Sequence, residues 1–153
     1  MPGTRRGLVA LAVAGALVTA ARGGERAGPA PDARVLEHRG RWESGYGARF
    51  YNVVGRLKNT GTRPLRYVKL RIEALDAAGK QVAAIDTYNE SAEVLAVEGL
   101  PGDVAERLRT MKPKPLAAGA EERFRGGFMA DETPAFTSYR VRVVEAPPAA
   151  PGS

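Results

Sequence analysis

His38 is the single imidazole in a chain of 153 residues that has no cysteine. A protein-held transition metal commonly takes three or four nitrogen or sulfur ligands, so the residue inventory argues against such a centre. It also excludes disulfides and a thiolate nucleophile. A Ser-His-Asp triad would have to be built on His38, close to the start of the folded part. The plainer reading places His38 on the surface of a first strand. Carboxylates are plentiful, and a pair held at the right separation performs glycoside hydrolysis. Glu121 and Glu122 are adjacent, and adjacent residues of a strand point to opposite faces. Glu90 and Glu93 share one short segment with no evident supporting partner. These acids read as solvated charges. Asp76 and Asp86 lack the alternating acidic loop of a calcium site, and Asp76 reads as the cap of its own turn. Gly45-Tyr46-Gly47 and Gly126-Gly127 match no phosphate-binding fingerprint. The second pair predicts a bulge or a close backbone approach inside a strand. The expectation is a protein that is not an enzyme, with no cofactor and no metal.

Binding chemistry is better represented. Trp42, Tyr46, Phe50 and Tyr51 lie close together, with Arg41 and Arg49 among them. Aromatic rings beside arginine stack on ligands or anchor protein partners. Equally, Trp42 and Tyr51 are of the type that fills a core, which leaves Tyr46 as the exposed member. A basic face is the second candidate: Arg56, Lys58, Lys69, Arg71, Arg140 and Arg142 all fall on the outward side of their strands. The candidate partner-binding residues are therefore Trp42, Tyr46, Arg56, Arg71, Arg140 and Arg142.

These side chains need a scaffold, and the patterning supplies strands. From Val68 to Ala74, apolar Val68, Leu70, Ile72 and Ala74 alternate with Lys69, Arg71 and Glu73. That is the period of a half-buried strand. Tyr51, Val53, Gly55 and Leu57 share a face in the segment before it. The turn residues Asn59 to Pro64 separate the two. Asp76 to Gly79 is a second turn. Strands are further expected over residues 80–86, 121–129 and 138–145, with a weaker first strand over 34–39. Six short strands with close connections predict an all-β, immunoglobulin-like antiparallel β-sandwich. The inserted segment 88–115 interrupts the rhythm. Inside it Asp103 to Glu106 has the form of a capping box. Val104, Leu108 and Met111 form one apolar stripe. A short helix over 103–111, ended by Pro113, is expected to close one edge or end of the sandwich.

The ends read differently. Residues 1–21 carry Arg5 and Arg6, then an uncharged apolar run, then small residues at Val18 to Ala21. This is the pattern of a cleaved signal peptide. The run is too short to span a bilayer, and the paired arginines also fit a twin-arginine route. Residues 22–33 read as a flexible linker, 34–145 as the sandwich and 146–153 as a disordered tail. The formal charge is +6 with a pI near 10.0. Without the first 21 residues, 21 basic and 17 acidic groups leave +4. Arginine bias in composition and a working cationic surface both account for that excess.

Val53-Val54-Gly55, then Leu57, Asn59 and Gly61, then Pro64-Leu65, Leu75-Asp76 with Gly79, and Leu116, Gly119 and Phe124 stand in a characteristic order. Over about 51–145 this order resembles the bacterial extracytoplasmic FxLYD domains and related immunoglobulin-like domains. Asp76 here follows Leu75 with no tyrosine between them, and the 88–115 segment is longer than usual. The resemblance implies an immunoglobulin-like sandwich in the bacterial envelope and brings no catalytic residues with it.

Together these features predict an exported, periplasmic or secreted binding module. Its partner would be an envelope protein or an anionic glycan. Export argues against nucleic acid, and no transmembrane segment is expected after signal cleavage. The alternative is a chaperone-like assembly accessory that adds a client strand to a sheet edge.

Overall fold

A computed structural model describes residues 30–96 and 101–152. The expected signal peptide and residues 22–29 of the expected linker lie outside the described residues. Among the described residues, six strands form two antiparallel three-stranded sheets. They are β1 (Ala33–Gly45), β2 (Ala48–Asn59), β3 (Lys69–Leu75), β4 (Gln81–Tyr88), β5 (Glu121–Met129) and β6 (Ser138–Glu145). One sheet has the order β1-β2-β5 and the other β4-β3-β6. Two hairpins, β1-β2 and β3-β4, lie within sheets, while the other connections cross between sheets. The result is an all-β, immunoglobulin-like sandwich.

The alternating residues of β3 explain the core. Leu70, Ile72 and Ala74 are fully buried, and they face Val53 and Leu57 of β2 and Phe124 and Phe128 of β5. Val68, Leu65 and Leu116 close one end. Each large apolar side chain contributes about 1.5–3 kcal/mol through removal from water. Cysteine is absent, so this packing carries the fold without a covalent brace.

β1 departs most from expectation. It runs for 13 residues, about twice the expected 34–39. A bulge between Val35 and Glu37 hides the period in the sequence. Leu36 is the extra residue, and side chains beyond it swap faces. Val35 packs on the core, but Glu37, Arg39 and Arg41 then point outward beside Arg56, Val54 and Asn52. The hairpin tip is the two-residue turn Tyr46-Gly47, with φ of 51° and 76°. Both angles belong to the turn type that matches strand twist.

Two further expectations change. The helix α1 spans Gly102–Thr110, so Asp103 lies within its first turn, where its charge suits the helix dipole. Val104 and Met111 are exposed, so they do not close the sandwich as a stripe. Directly after β4 the chain instead forms a 3-10 helix, Glu90–Leu95, with Ala92 buried. At the C-terminus, the segment read as a disordered tail pairs with the chain. Arg66 N–H donates to Pro147 carbonyl oxygen at 2.8 Å and Ala149 N–H to Pro64 carbonyl oxygen at 2.9 Å. Proline cannot donate, but its carbonyl still accepts. Ala33, assigned to the linker, starts β1 and is buried. Gly126 and Gly127 sit in unbroken register, and close approach is the reason for both. A Cβ on Gly126 would stand 2.8 Å from Ile72 Cδ1, and one on Gly127 would stand 2.9 Å from Tyr51 carbonyl oxygen.

Polar side chains fix the loops. Asn59 is fully buried. It donates to the carbonyls of Arg63 (2.8 Å) and Leu116 (3.0 Å) and accepts from Gly61 N–H. Asp76 accepts from Ala78 and Lys80 N–H, both at 2.9 Å, the capping role expected of it.

Candidate functional site

The bulge and the antiparallel register place five arginines on the outer face of β1-β2-β5. Across the sheet, Arg39 aligns with Val54 and Val54 with Arg125. In the next row Glu37 aligns with Arg56 and Arg56 with Arg123. Arg41 extends the first strand's row by two residues. Successive outward residues on one strand stand about 7 Å apart, and β1 and β5 are about 10 Å apart across β2. The arginines surround an open groove of about 930 Å³ whose lining also includes Gly55, Phe124, Glu90 and Glu93. The 3-10 helix, held against β5, supplies the last two acids.

Carboxylates already occupy part of this face. Glu93 receives a two-pronged contact from Arg125, at 2.9 and 3.1 Å. Arg56 is shared between Glu37 (2.8 Å) and Glu121 (2.9 Å). Arg41 pairs with Glu43. The Arg56 hydrogen bond, with its charge, holds the Glu37 carboxyl below its ordinary range, and Arg39 adds to the effect. The Glu93 hydrogen bond raises Arg125 further. All these pairs are solvent-exposed, and solvent screening leaves such pairs individually weak. Arg39 and Arg123 are exposed and form no ion pair among the described residues. Arginine's planar fork matches carboxylate, sulfate or phosphate oxygens, and on this face Arg39 and Arg123 present that fork to solvent.

The residues singled out from sequence distribute over three places. Arg56 lies at the centre of the groove. Arg71, Arg140 and Arg142 lie on the outer face of the other sheet, so the single basic face expected from the sequence divides between opposite sides of the molecule. There the cations are engaged. Arg71 forks onto Asp86 at 2.7 and 3.0 Å, which Lys69 also contacts. Arg140 and Arg142 converge on Glu73, at 2.6 and 3.0 Å. Glu73 is only 2% exposed although it lies on the outward side of β3, because those two arginines roof it. Trp42 and Tyr46 occupy the hairpin end. Trp42 is 41% exposed. It meets Tyr51 edge-on at 5.2 Å and carries the Arg49 guanidinium 4.5 Å above its ring, so the stack is internal. Tyr46 is wholly exposed.

His38 is exposed on β1, with Nδ1 2.9 Å from the Tyr139 hydroxyl. Glu122 is not the solvated charge expected. It accepts from Asn89 Nδ2, Ser91 N–H and the Ser91 hydroxyl at 2.8–3.0 Å, which pins the 3-10 helix to β5. Sequence reasoning missed Arg39, Arg123 and Arg125 as site members. The available signal was the i, i+2 spacing of arginines at 39/41 and 123/125. Among the described residues no group of three His, Asp or Glu side chains is arranged to hold a metal ion. No helix among them is long and apolar enough to cross a membrane. No protein family, curated protein or solved structure matches the chain.

The ion pairs of β4-β3-β6 set a pH dependence. Arg71, then Lys69, hold the Asp86 carboxyl down to about 2. Burial raises Glu73, but the Arg140 and Arg142 hydrogen bonds outweigh it and its pKa is lowered. Depressed acids stabilise the fold above their unfolded pKa, and that stability is lost as pH falls from about 4 towards 2. Tyr67 donates to Glu145, which raises it to about 12. Its contribution is present below pH 10 and is lost between about 10 and 12. Urea unfolding across pH is therefore expected to show a plateau with both shoulders. Asp86→Asn should remove about 1–2 kcal/mol from the acid limb, after discount for solvent screening. Tyr67→Phe should flatten the alkaline one.

Proposed function

We propose that this chain is a non-enzymatic binding module that captures an anionic partner on the arginine-lined face of β1-β2-β5. One observation carries the reading: three adjacent strands bring Arg39, Arg41, Arg56, Arg123 and Arg125 around one open groove. The basic and then apolar opening of the sequence supports an exported, envelope-located protein, and so does the likeness to FxLYD domains. In that setting the partner is an anionic envelope component. Arg71, Arg140 and Arg142 are the weaker candidates, because each already sits in an ion pair with Asp86 or Glu73, whereas Arg39 and Arg123 are in none among the described residues.

Charge reversal tests the reading. Arg39→Glu with Arg123→Glu is expected to weaken binding to immobilised polyglutamate by about tenfold or more at low salt, where screening is least. Arg71→Glu with Arg142→Glu, an equal change of charge on the other sheet, should change it less than about threefold, since those cations are already engaged. Wild-type binding should fall steeply as ionic strength shortens the screening length. Equal losses from both substitutions would mean diffuse attraction to a basic protein, not a site.

The sheet-edge alternative has four edge strands to draw on, β1, β5, β4 and β6, of which β6 shows Val144 exposed. Arg140 and Arg142 on that strand are of the kind that discourages edge pairing, which favours the groove.

A further inference from the structure

The groove is not a uniform cationic track, and its uneven pattern specifies a ligand. Resting on the binding reading above, we infer that the partner is an acidic peptide segment in extended form. It seats two carboxylates on Arg39 and Arg123 and one apolar side chain on Val54.

Three observations support this. First, Arg39 and Arg123 are the groove arginines without an ion pair among the described residues, and they stand on the two outer strands of the sheet. Two strand spacings and a two-residue offset separate them, about 12 Å in Cα terms. An extended peptide covers about 13 Å over four residues, so acids at i and i+4 reach both. Second, the path between them crosses the middle strand between Val54, aligned with Arg39, and Arg56, aligned with Arg123, and Val54 is 38% exposed. An exposed apolar residue beside the two open arginines rewards a ligand whose middle residue is apolar. Third, the other three arginines already hold carboxylates of the protein's own chain. Glu93 on Arg125, Glu37 and Glu121 on Arg56, and Glu43 on Arg41 are peptide carboxylates in place on this face. The open pair continues that pattern.

A glycan is the less favoured ligand on the same face. Sugar rings stack on open aromatic faces, and the groove offers no open phenyl, phenol or indole face: Phe124 is 2% exposed, and Trp42 lies at the hairpin end under Arg49.

Fluorescence polarisation with the full chain tests the inference. The probes are labelled Glu-Gly-Leu-Gly-Glu, its Gln-Gly-Leu-Gly-Gln and Glu-Gly-Ser-Gly-Glu counterparts, and an oligogalacturonate of similar charge. The first peptide is expected to bind best, with a loss of about tenfold or more for the glutamine form and of several-fold for the serine form. Arg39→Gln with Arg123→Gln should weaken the first peptide by about tenfold or more. The matching lysine pair should fall between, because lysine keeps the charge and loses the fork. Both side chains are exposed and outside any ion pair among the described residues, so the variants should unfold at the wild-type temperature, and a scan verifies that. Tighter binding of the oligogalacturonate than of any peptide overturns the peptide assignment and leaves the anion-binding face standing. Peptide binding indifferent to positions 39 and 123 overturns the seating. Failure of every probe to bind at low salt removes the binding reading itself.

Discussion

Gly55→Val is expected to lower the unfolding free energy by about 3 kcal/mol or more, at the upper end for an overpacked core. Gly55 stands on β2 opposite the β1 bulge. A Cβ there would lie 2.4 Å from the Glu37 carbonyl oxygen and 2.5 Å from Phe124 Cζ. The phenyl ring has some freedom, but the carbonyl belongs to the bulge itself. Relieving the clash means pushing β1 away or undoing the bulge. Without the bulge, Arg39 and Arg41 would turn inward and Trp42 and His38 outward, since one residue of slip swaps every side chain. The variant should therefore lose anion binding even under conditions where it stays folded. Denaturant titration checks the first effect, with Gly45→Ala as control. A Cβ on Gly45 meets nothing within 4 Å, so that change should stay within about 0.5 kcal/mol. Equal effects at the two glycines would mean that the bulge is not held by close packing.

Asn89→Ala is expected to cost about 3 kcal/mol, from a stranded buried donor and a lost hydrogen bond to a charged group. Asn89 is fully buried at the end of β4. Its Oδ1 accepts from Val68 N–H at 2.7 Å, and its Nδ2 donates to Glu122 at 2.8 Å. One side chain thus joins the approach to β3, the end of β4 and the start of β5. It also sets the 3-10 helix that brings Glu93 to Arg125. Asn89→Asp separates the two roles, because an acceptor remains for Val68 while a second carboxylate is set against Glu122. That variant should regain stability as pH falls and the pair takes up a proton. Asn and Asp are nearly isosteric, so a pH-independent deficit would mean that repulsion between the carboxylates at positions 89 and 122 is not its cause.

Sequence legibility tracks how one-sided each strand is. β3 was readable because its inner residues are all apolar, and β5 and β6 have the bounds expected of them. β1 was only half legible. Its inner positions after the bulge are His38, Gly40 and Trp42, and its outer ones are Glu37, Arg39 and Arg41, so hydropathy carries no period there. The same bulge concealed the site, because the parity of residues 39 and 41 depends on an extra residue at position 36. Arg56 was found on its strand. Its neighbours Arg123 and Arg125 were not, because pairing of β5 with β2 is a long-range fact. Conversely, Lys69, Arg71, Arg140 and Arg142 looked like a free patch from sequence, while in space each is ion-paired with Asp86 or Glu73.

The most direct test monitors backbone amide shifts of the labelled chain while an acidic peptide is titrated in. The expected result is a contiguous set of shifting amides at Arg39, Arg41, Val54, Arg56, Arg123 and Arg125, with those of Arg71, Arg140 and Arg142 unmoved. Shifts centred on β3 and β6, or spread evenly over both sheets, would contradict a binding face on β1-β2-β5.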